Sequence, residues 1–350
     1  MATTLHTNLD AVNDLIFGRW KSRILYTGVA LGIFDELAAG KASGGATADE
    51  LAAQLQINPG AGYRLLRALA SIGLLDELPG ARFRLTSQGR LLCAGHPSNL
   101  RAVALLQDGP EHLVIWKHLP EMIRAGWQNG FRKEFGRTAF EHADANPAYS
   151  AVFDSAMASY SAQQAAAAVE ALGDFDFAGV QSVVDVGGGR GTLLDALLRA
   201  HPALRGVVLE RPSVIAAAAN ANAGATRQGR WSHQAGDMFQ SVPPAELYLL
   251  KLILHDWNDE HCVRLLENIR RAAMESGRTG ARLVILEFVI TAPDVPHFSK
   301  LYDIHMMCWG EGRERSIPEY EALLRRAGWE LGKFRPMPLV EMGIIEARAR

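Results

Sequence analysis

The sequence predicts an α/β protein, with a doubly wound, mostly parallel sheet in its C-terminal half and a mostly helical winged-helix domain at its N-terminus. Three observations carry this. From residue 180 onward, β-branched runs alternate with helix-patterned stretches. A glycine cluster, Gly187, Gly188, Gly189 and Gly191, separates the first such strand from the first such helix. The first hundred residues instead run helix, turn, helix, strand.

In order along the chain, residues 11–39 place Leu15, Ile16, Trp20, Ile24, Leu25, Val29, Leu31, Ile33 and Leu37 at helical spacing. Small residues at 40–45 break the pattern. "TADELAAQLQI" then opens with Thr47 as N-cap and Glu50 three residues on, a capping box. "NPGAGYRLLRALASIGLLDE" gives a second helix after a tight turn, and "RFRLTSQGRLL" a hairpin strand leading into another helix. Residues 101–165 read as helical, and Val152, Phe153, Ala156, Met157, Tyr160 and Ser161 share 3-and-4 spacing on the helix that starts near Pro147. Such positions are more often core than pocket.

In the C-terminal half, Val180–Val186 is a strand, the glycines a turn, and Thr192–Ala200 an apolar-striped helix. "LRGVVLERP" is the next strand and ends in Glu210. After "HQAGDMF" come the strand "ELYLLKLIL", the helix "DEHCVRLLENIRRAAM", the strand "ARLVILEFVI", the helix "SIPEYEALLRRAGW" and a closing strand "LVEMGIIEARAR". Ligands of such sheets sit at the carboxyl ends of the strands. Asp185, Glu210, Asp237, His255 and Glu287 all fall there.

Composition removes several classes. Apolar content of 48% with 21% charge is that of a folded globular chain, and a net charge of −2 offers no general attraction to nucleic acid or acidic membrane. Nine Lys/Arg against eight Asp/Glu over residues 1–100, with a leucine-rich second helix, lack the basic footprint of a DNA reader. The winged helix is therefore read as an interaction domain. The three cysteines are widely spaced and suggest neither a disulfide framework nor a zinc site. Asp10 and Asp14 interrupt any signal-peptide core, and no run of 18 apolar residues occurs, so a cytoplasmic protein without membrane spans is expected.

Two motifs carry chemistry. The glycine turn admits close approach by a ligand at a helix N-terminus, and an acid such as Glu210 at the next strand end can accept ribose hydroxyls. The dinucleotide fingerprint fails, because its sixth position is Thr192 or Leu194, and no lysine follows for a P-loop. The second motif is "LKLILHDWNDEHC", residues 250–262, where an apolar run ends in His255, Asp256, Asp259 and His261. A metal site, a general base with its orienter, or a helix cap would each use such residues. His255 and His261 are six apart and no H-E-x-x-H occurs, so no metal is expected. Asn258, Asp259 and His261 sit where a helix begins and read as capping and dipole residues.

"DVGGGRG", "GDMF", "LKLILHDWNDEHC" and "GRERSIPEYEALLRRAGW", together with the N-terminal winged helix, resemble the S-adenosylmethionine-dependent O-methyltransferases of the plant caffeate and flavonoid type and their bacterial relatives. The resemblance spans nearly the whole chain. It implies a Rossmann-like cofactor domain at 166–350, a helical linker at 101–165 that contributes to a substrate pocket, and a winged-helix dimerisation domain at 1–100. It implies that Gly187 and Gly189 pass the methionine part of the cofactor, with Asp185 beneath. Glu210, where the family usually has aspartate, would hold the ribose, Asp237 and Met238 would flank the adenine, and Lys251 would lie beside the adenosine. Ser161 would approach the methionine carboxylate.

By the same resemblance His255 is the general base, Glu287 and Glu314 flank its imidazole, and Asp256 contacts the substrate or supports the histidine. Phe153, Met157, Tyr160, Met306, Met307 and Trp309 would line an aromatic pocket. Gly310-Glu311 departs from the apolar residue and glycine that relatives often carry there.

The implied reaction is methylation of a phenolic hydroxyl on an aromatic secondary metabolite by a homodimer, leaving S-adenosylhomocysteine. A phenol with a pKa of about 10 is mostly protonated at neutral pH, so a histidine in reach of its proton assists. The rivals are N-methylation, a cofactor-binding relative that no longer methylates, and a ligand-sensing DNA regulator.

Overall fold

The computed structural model describes residues 2–40, 44–221, 229–275 and 280–350. The chain forms two compact units, Met1–Val114 with Ala148–Ser159, and Ile115–Pro147 with Tyr160–Arg350.

In the first unit a long helix, Ala2–Ala30, is followed by a short one, Ile33–Ala39. The sequence suggests one helix over 11–39. Gly32 interrupts it with φ of +76°, a left-handed conformation that suits glycine. The small-residue break at 40–45 falls partly on 41–43, outside the described residues. Thr47 and Glu50 form the expected capping box at the start of helix Ala48–Gln54, and the Asn58 side chain caps helix Pro59–Ser71. Strands β1 (Ala46–Thr47), β2 (Leu75–Leu78) and β3 (Arg82–Leu85) make a small antiparallel sheet in the order β1-β3-β2. Val29, Ile33, Phe34, Leu51, Leu66, Leu69 and Phe83 form its core.

The second unit is built on a seven-stranded sheet of β4 (Ser182–Val186), β5 (Arg205–Glu210), β6 (Trp231–Ala235), β7 (Leu247–Lys251), β8 (Arg282–Glu287), β9 (Trp329–Met337) and β10 (Met342–Ala349). Its order is β6-β5-β4-β7-β8-β10-β9, parallel up to β8 and antiparallel at β10 and β9. Alternate residues face opposite sides. Val184, Val186, Tyr248, Leu250 and Ile285 pack with helices Asp259–Glu275 and Ile317–Arg326, while Val183, Leu247, Leu249 and Val284 pack with helix Thr192–Ala200. Helices thus cover both faces, as a doubly wound sheet requires.

Two details differ from the sequence reading. β9 is a strand that the sequence does not announce, because Glu330, Gly332, Lys333 and Pro336 dilute its apolar pattern. An edge strand tolerates this, since Pro336 needs no ladder donor on its outer side. The strand "ELYLLKLIL" also ends earlier than its apolar run, at Lys251. Leu252 turns to φ +55° and residues Leu254–Asp256 form a 3-10 turn. No helix among the described residues is long and apolar enough to cross a membrane.

Candidate active site

Strand order at the switch between β4 and β7 opens a crevice at the carboxyl ends of the sheet. There Gly187 adopts φ of +69°, and a Cβ on it would lie 2.4 Å from the Ile253 side chain. A Cβ on Gly188 would lie 2.4 Å from the Asp185 carboxylate. Only glycine lets the turn fold down so tightly. Glu210 accepts the Gly189 N–H at 3.1 Å and its neighbour Arg211 N–H at 2.8 Å, so this acid is tied to the turn.

Asp185 is 1% exposed and neither of its carboxylate oxygens has a hydrogen-bond partner among the described residues. Desolvation pushes its pKa up to about 7, against the pull of Lys251. An orphaned buried carboxyl under a glycine cradle calls for a ligand with polar hydrogens. Burial holds the Lys251 ammonium below its ordinary pKa while Asp185, Glu287 and Asp256 oppose that shift, and its Nζ donates to Gln164 Oε1 at 3.2 Å. Further out, the exposed Asp237 accepts from Phe239 N–H at 2.9 Å, and the carbonyl of Met238 accepts from Asn268. Ser161 is part-exposed on helix Pro147–Ala171.

The turn after β7 is made by Glu287. Its Oε1 accepts two buried N–H groups, Ile253 at 3.1 Å and Leu254 at 2.9 Å, which lifts the chain out of the strand ladder. His255 follows, 5% exposed. Its Nδ1 lies 2.8 Å from Glu314 Oε1 and 3.7 Å from Glu287 Oε2, and its Nε2 lies 3.5 Å from Asp256 Oδ1. Three carboxyls therefore surround one imidazole. Only Glu314 is at hydrogen-bond distance from Nδ1.

Burial raises all three carboxyls. Asp256 and Glu287 are pushed up to about 7, each against the pull of His255, and Glu314 goes well above its ordinary range. Asp303 adds to the last shift and Arg315 opposes it. Glu287 Oε2 and Glu314 Oε2 are buried without a hydrogen-bond partner among the described residues. The ligand atoms of His255, Glu287 and Glu314 lie within 4.8 Å of one another, close enough to converge on a metal ion. Nδ1 and Glu314 Oε1 already face each other, however, and Glu287 Oε1 is taken by backbone.

Helix Phe298–Trp309 carries Met306 and Trp309, both buried, and the half-buried Met307. Trp309 packs edge-on against Phe140, with ring centroids 5.2 Å apart. Tyr160 is half-buried, and Tyr302 is raised well above its ordinary pKa by burial, with a smaller contribution from the nearby Tyr160. Phe153 and Met157 belong to the first unit, where Phe153 lies 6.0 Å from the Tyr149 ring.

Sequence reasoning passes over two neighbours of His255. The Tyr302 ring stacks on the imidazole at 6.0 Å and 17°, and His305 lies 5.2 Å from Tyr302. Desolvation, with a smaller push from His255, lowers His305 to about 4, so it is neutral at pH 7. The available signal is the 302, 305, 309 spacing, one helix face. The reading of Asn258 as a cap matches its bonds: its Oδ1 accepts the His261 N–H and faces the His261 ring.

Residues 116–330 match the family described as the O-methyltransferase domain, and residues 13–95 the O-methyltransferase dimerisation domain. The phenazine O-methyltransferase PhzM of Lysobacter antibioticus is 34% identical over 336 residues, covering 96% of this chain and 94% of that protein. The mitomycin biosynthesis 6-O-methyltransferase of Streptomyces lavendulae is 32% identical over 342 residues, covering 97% and 94%. A crystal structure of NcsB1, an O-methyltransferase from neocarzinostatin biosynthesis, holds S-adenosylmethionine and 2-hydroxy-5-methyl naphthoic acid. It matches with a TM-score of 0.76 at 29% identity, covering 94% of this chain and 96% of that one. With the sheet order, the glycine turn and the buried histidine alongside these likenesses, the chain belongs to the O-methyltransferase family.

Proposed function

We propose that the protein methylates a phenolic hydroxyl of an aromatic small molecule of secondary metabolism, with His255 as general base. The methyl donor is S-adenosylmethionine, which supplies an electrophilic methyl group on a sulfonium and departs as a neutral thioether. The residues fit it: Asp185 offers an unpartnered carboxyl beneath the Gly187–Gly189 turn, Glu210 two oxygens for ribose hydroxyls, and Lys251 a cation beside them. Ser161, Asp237 and Met238 complete the cofactor set. The phenazine and mitomycin enzymes among the relatives, and the naphthoic acid held by NcsB1, support an aromatic acceptor. Met306, Met307, Trp309 and Tyr160 would line its pocket.

The observation that carries the mechanism is the buried His255–Glu314 contact of 2.8 Å. In its ionised form Glu314 keeps the proton on Nδ1 and leaves the Nε2 lone pair to take the hydroxyl proton. As the oxygen gains the methyl group, that proton passes to Nε2, and the imidazolium is stabilised by Glu314, Glu287 and Asp256. Asp256, 3.5 Å from Nε2, also lies where the hydroxyl must arrive. No metal enters this chemistry.

The first unit supports a homodimer. Leu15, Ile16 and Trp20 of helix Ala2–Ala30 are 82, 62 and 58% exposed, an apolar face suited to a second copy, on a segment that matches the dimerisation family.

The test is transfer of labelled methyl from S-adenosylmethionine to a panel of hydroxylated phenazines, naphthoic acids and benzoic acids by the wild type and His255→Ala. A general base in this role is worth about 10²–10⁴-fold, so the variant should lose at least ~10²-fold while still binding cofactor. An unchanged rate in His255→Ala would reject the base.

A further inference from the structure

We infer that Arg315 is a positioning residue for the transfer step: its guanidinium locks the turn that carries His255 to the loop that carries Glu314. This rests on the reading of His255 and Glu314 just given. Arg315 is 1% exposed, although its sequence context, between Glu314 and Ser316, is that of an ordinary surface charge.

Its five N–H donors are all engaged. Nη1 donates to the carbonyls of Leu254 at 2.9 Å and Arg313 at 3.3 Å, and Nη2 to that of Trp257 at 2.9 Å. Nε and Nη2 both donate to Asp259 Oδ1, at 3.0 and 2.7 Å. The carbonyls of Leu254 and Trp257 bracket His255 and Asp256, so the fork grips the base's turn on both sides. The same residue's backbone carbonyl accepts the Ile290 N–H at 3.0 Å, and Arg315 bridges Val289 in parallel. Its position is therefore referenced to the exit of β8, the strand that ends in Glu287.

The contact it protects is sensitive to register. Glu314, one residue before, meets Nδ1 at 2.8 Å, and a slip of about 1 Å between the two segments would break that contact. Leu254 also carries a backbone N–H held by Glu287, so residue 254 is fixed by Glu287 through its N–H and by Arg315 through its carbonyl. Lysine cannot substitute: it is a single point donor and cannot span two carbonyls and a carboxylate in one plane.

Purely structural stapling would lower stability and leave the imidazole's surroundings intact once the variant folds. The experiment therefore reads the histidine directly, on the full chain with 15N-labelled histidine, in wild type, Arg315→Lys and the milder Asp259→Asn. The His255 resonance is assigned by its loss in His255→Ala. The wild type should show a downfield Nδ1-bound proton shared with Glu314. Arg315→Lys should lose or broaden it, and Asp259→Asn should move it part of the way, in samples whose circular dichroism matches the wild type.

In parallel, the transfer rate to whichever panel phenol the wild type methylates fastest should fall at least ~10-fold in Arg315→Lys, with cofactor affinity by calorimetry changed less than ~2-fold. In the His255→Ala background the same substitution should cost less than ~2-fold, since residues acting as one unit are not additive. A folded Arg315→Lys or Asp259→Asn protein with an unchanged His255 signal overturns the positioning role. So does a rate loss that is additive with His255→Ala. If His255→Ala alone leaves transfer intact, the base reading fails, and the imidazole signal still decides whether Arg315 sets the His255–Glu314 geometry.

Discussion

Adding one methyl group at Gly312 tests how tightly the loop of Glu314 must seat against the turn of His255. A Cβ at this position would lie 1.8 Å from the His255 carbonyl oxygen and 2.5 Å from the Asp256 carbonyl carbon and the Trp257 nitrogen. All three are backbone atoms and cannot rotate away. Ordinary contact begins near 3.4 Å, so the two segments must part by about 1.6 Å. Overpacking of this kind costs about 1–3 kcal/mol of stability, which a domain of this size survives. The chemical cost is larger. Misplacement by ~1 Å can cost ~10²-fold in rate, and the 2.8 Å His255–Glu314 contact is the first to be lost. Gly312→Ala should therefore lose ~10²-fold in single-turnover transfer and keep its cofactor affinity, because the Gly187–Gly189 turn lies on other strands. Quench-flow with labelled cofactor measures the first and calorimetry the second. A folded Gly312→Ala protein within about threefold of the wild-type rate would refute the claim that this seating controls the base.

Other outcomes follow from the same geometry. Glu287 has an ordinary pKa of 4.5 and about 7 in the fold, so its ionisation opposes folding. Stability from this group falls as pH rises from about 4.5 to about 7 and is level above that. Glu287→Gln, which keeps a carbonyl for Ile253 and Leu254, should gain stability over the wild type through that window, by at most roughly 3 kcal/mol at pH 8. Thermal melts at pH 5 and pH 8 measure it, and an equal difference at both would contradict the burial argument. Glu210→Ala removes acceptors from the glycine turn and the proposed ribose site, and should weaken cofactor binding ~10–100-fold by calorimetry. Leu15→Asp with Trp20→Asp should turn a dimer into a monomer in light scattering, with the first unit's core untouched because neither residue belongs to it. Treatment with EDTA should leave the transfer rate unchanged, because the sulfonium methyl needs no Lewis acid and His255 Nδ1 is already engaged by Glu314.

Much of this was legible in residues alone. The strand-glycine-helix pattern at 180–200 names its own fold, because close packing of Gly188 on Asp185 and helix burial by Leu193, Leu194, Leu197 and Leu198 are local events. Capping at Thr47 and Asn258 is likewise local and appears as expected. What escaped depends on residues distant in sequence. Nothing in "LLKLILH" says that the strand stops at Lys251, since the cause is a carboxylate 33 and 34 residues downstream that takes the N–H groups of Leu254 and Ile253. Arg315 reads as a surface charge because all of its acceptors but the Arg313 carbonyl lie 56 to 61 residues earlier. β9 is hidden because an edge strand need not alternate cleanly. Tyr302 and His305 were passed over because a helix of mixed apolar residues looks like core until the imidazole it faces is known.

The place of β10 bears on how the chain is made. It is the last of the seven strands to be synthesised, yet it lies inside the sheet, bonded to β8 on one side and β9 on the other. Until residues 342–349 clear the ribosome, β8 presents a row of unpaired peptide groups flanked by Leu283, Val284, Ile285 and Leu286. A nascent chain stalled or cut at that stage carries an apolar strand edge open to any other chain. Slow codons or a bulky fusion near position 340 should then trap aggregates during expression, although neither would touch a catalytic residue.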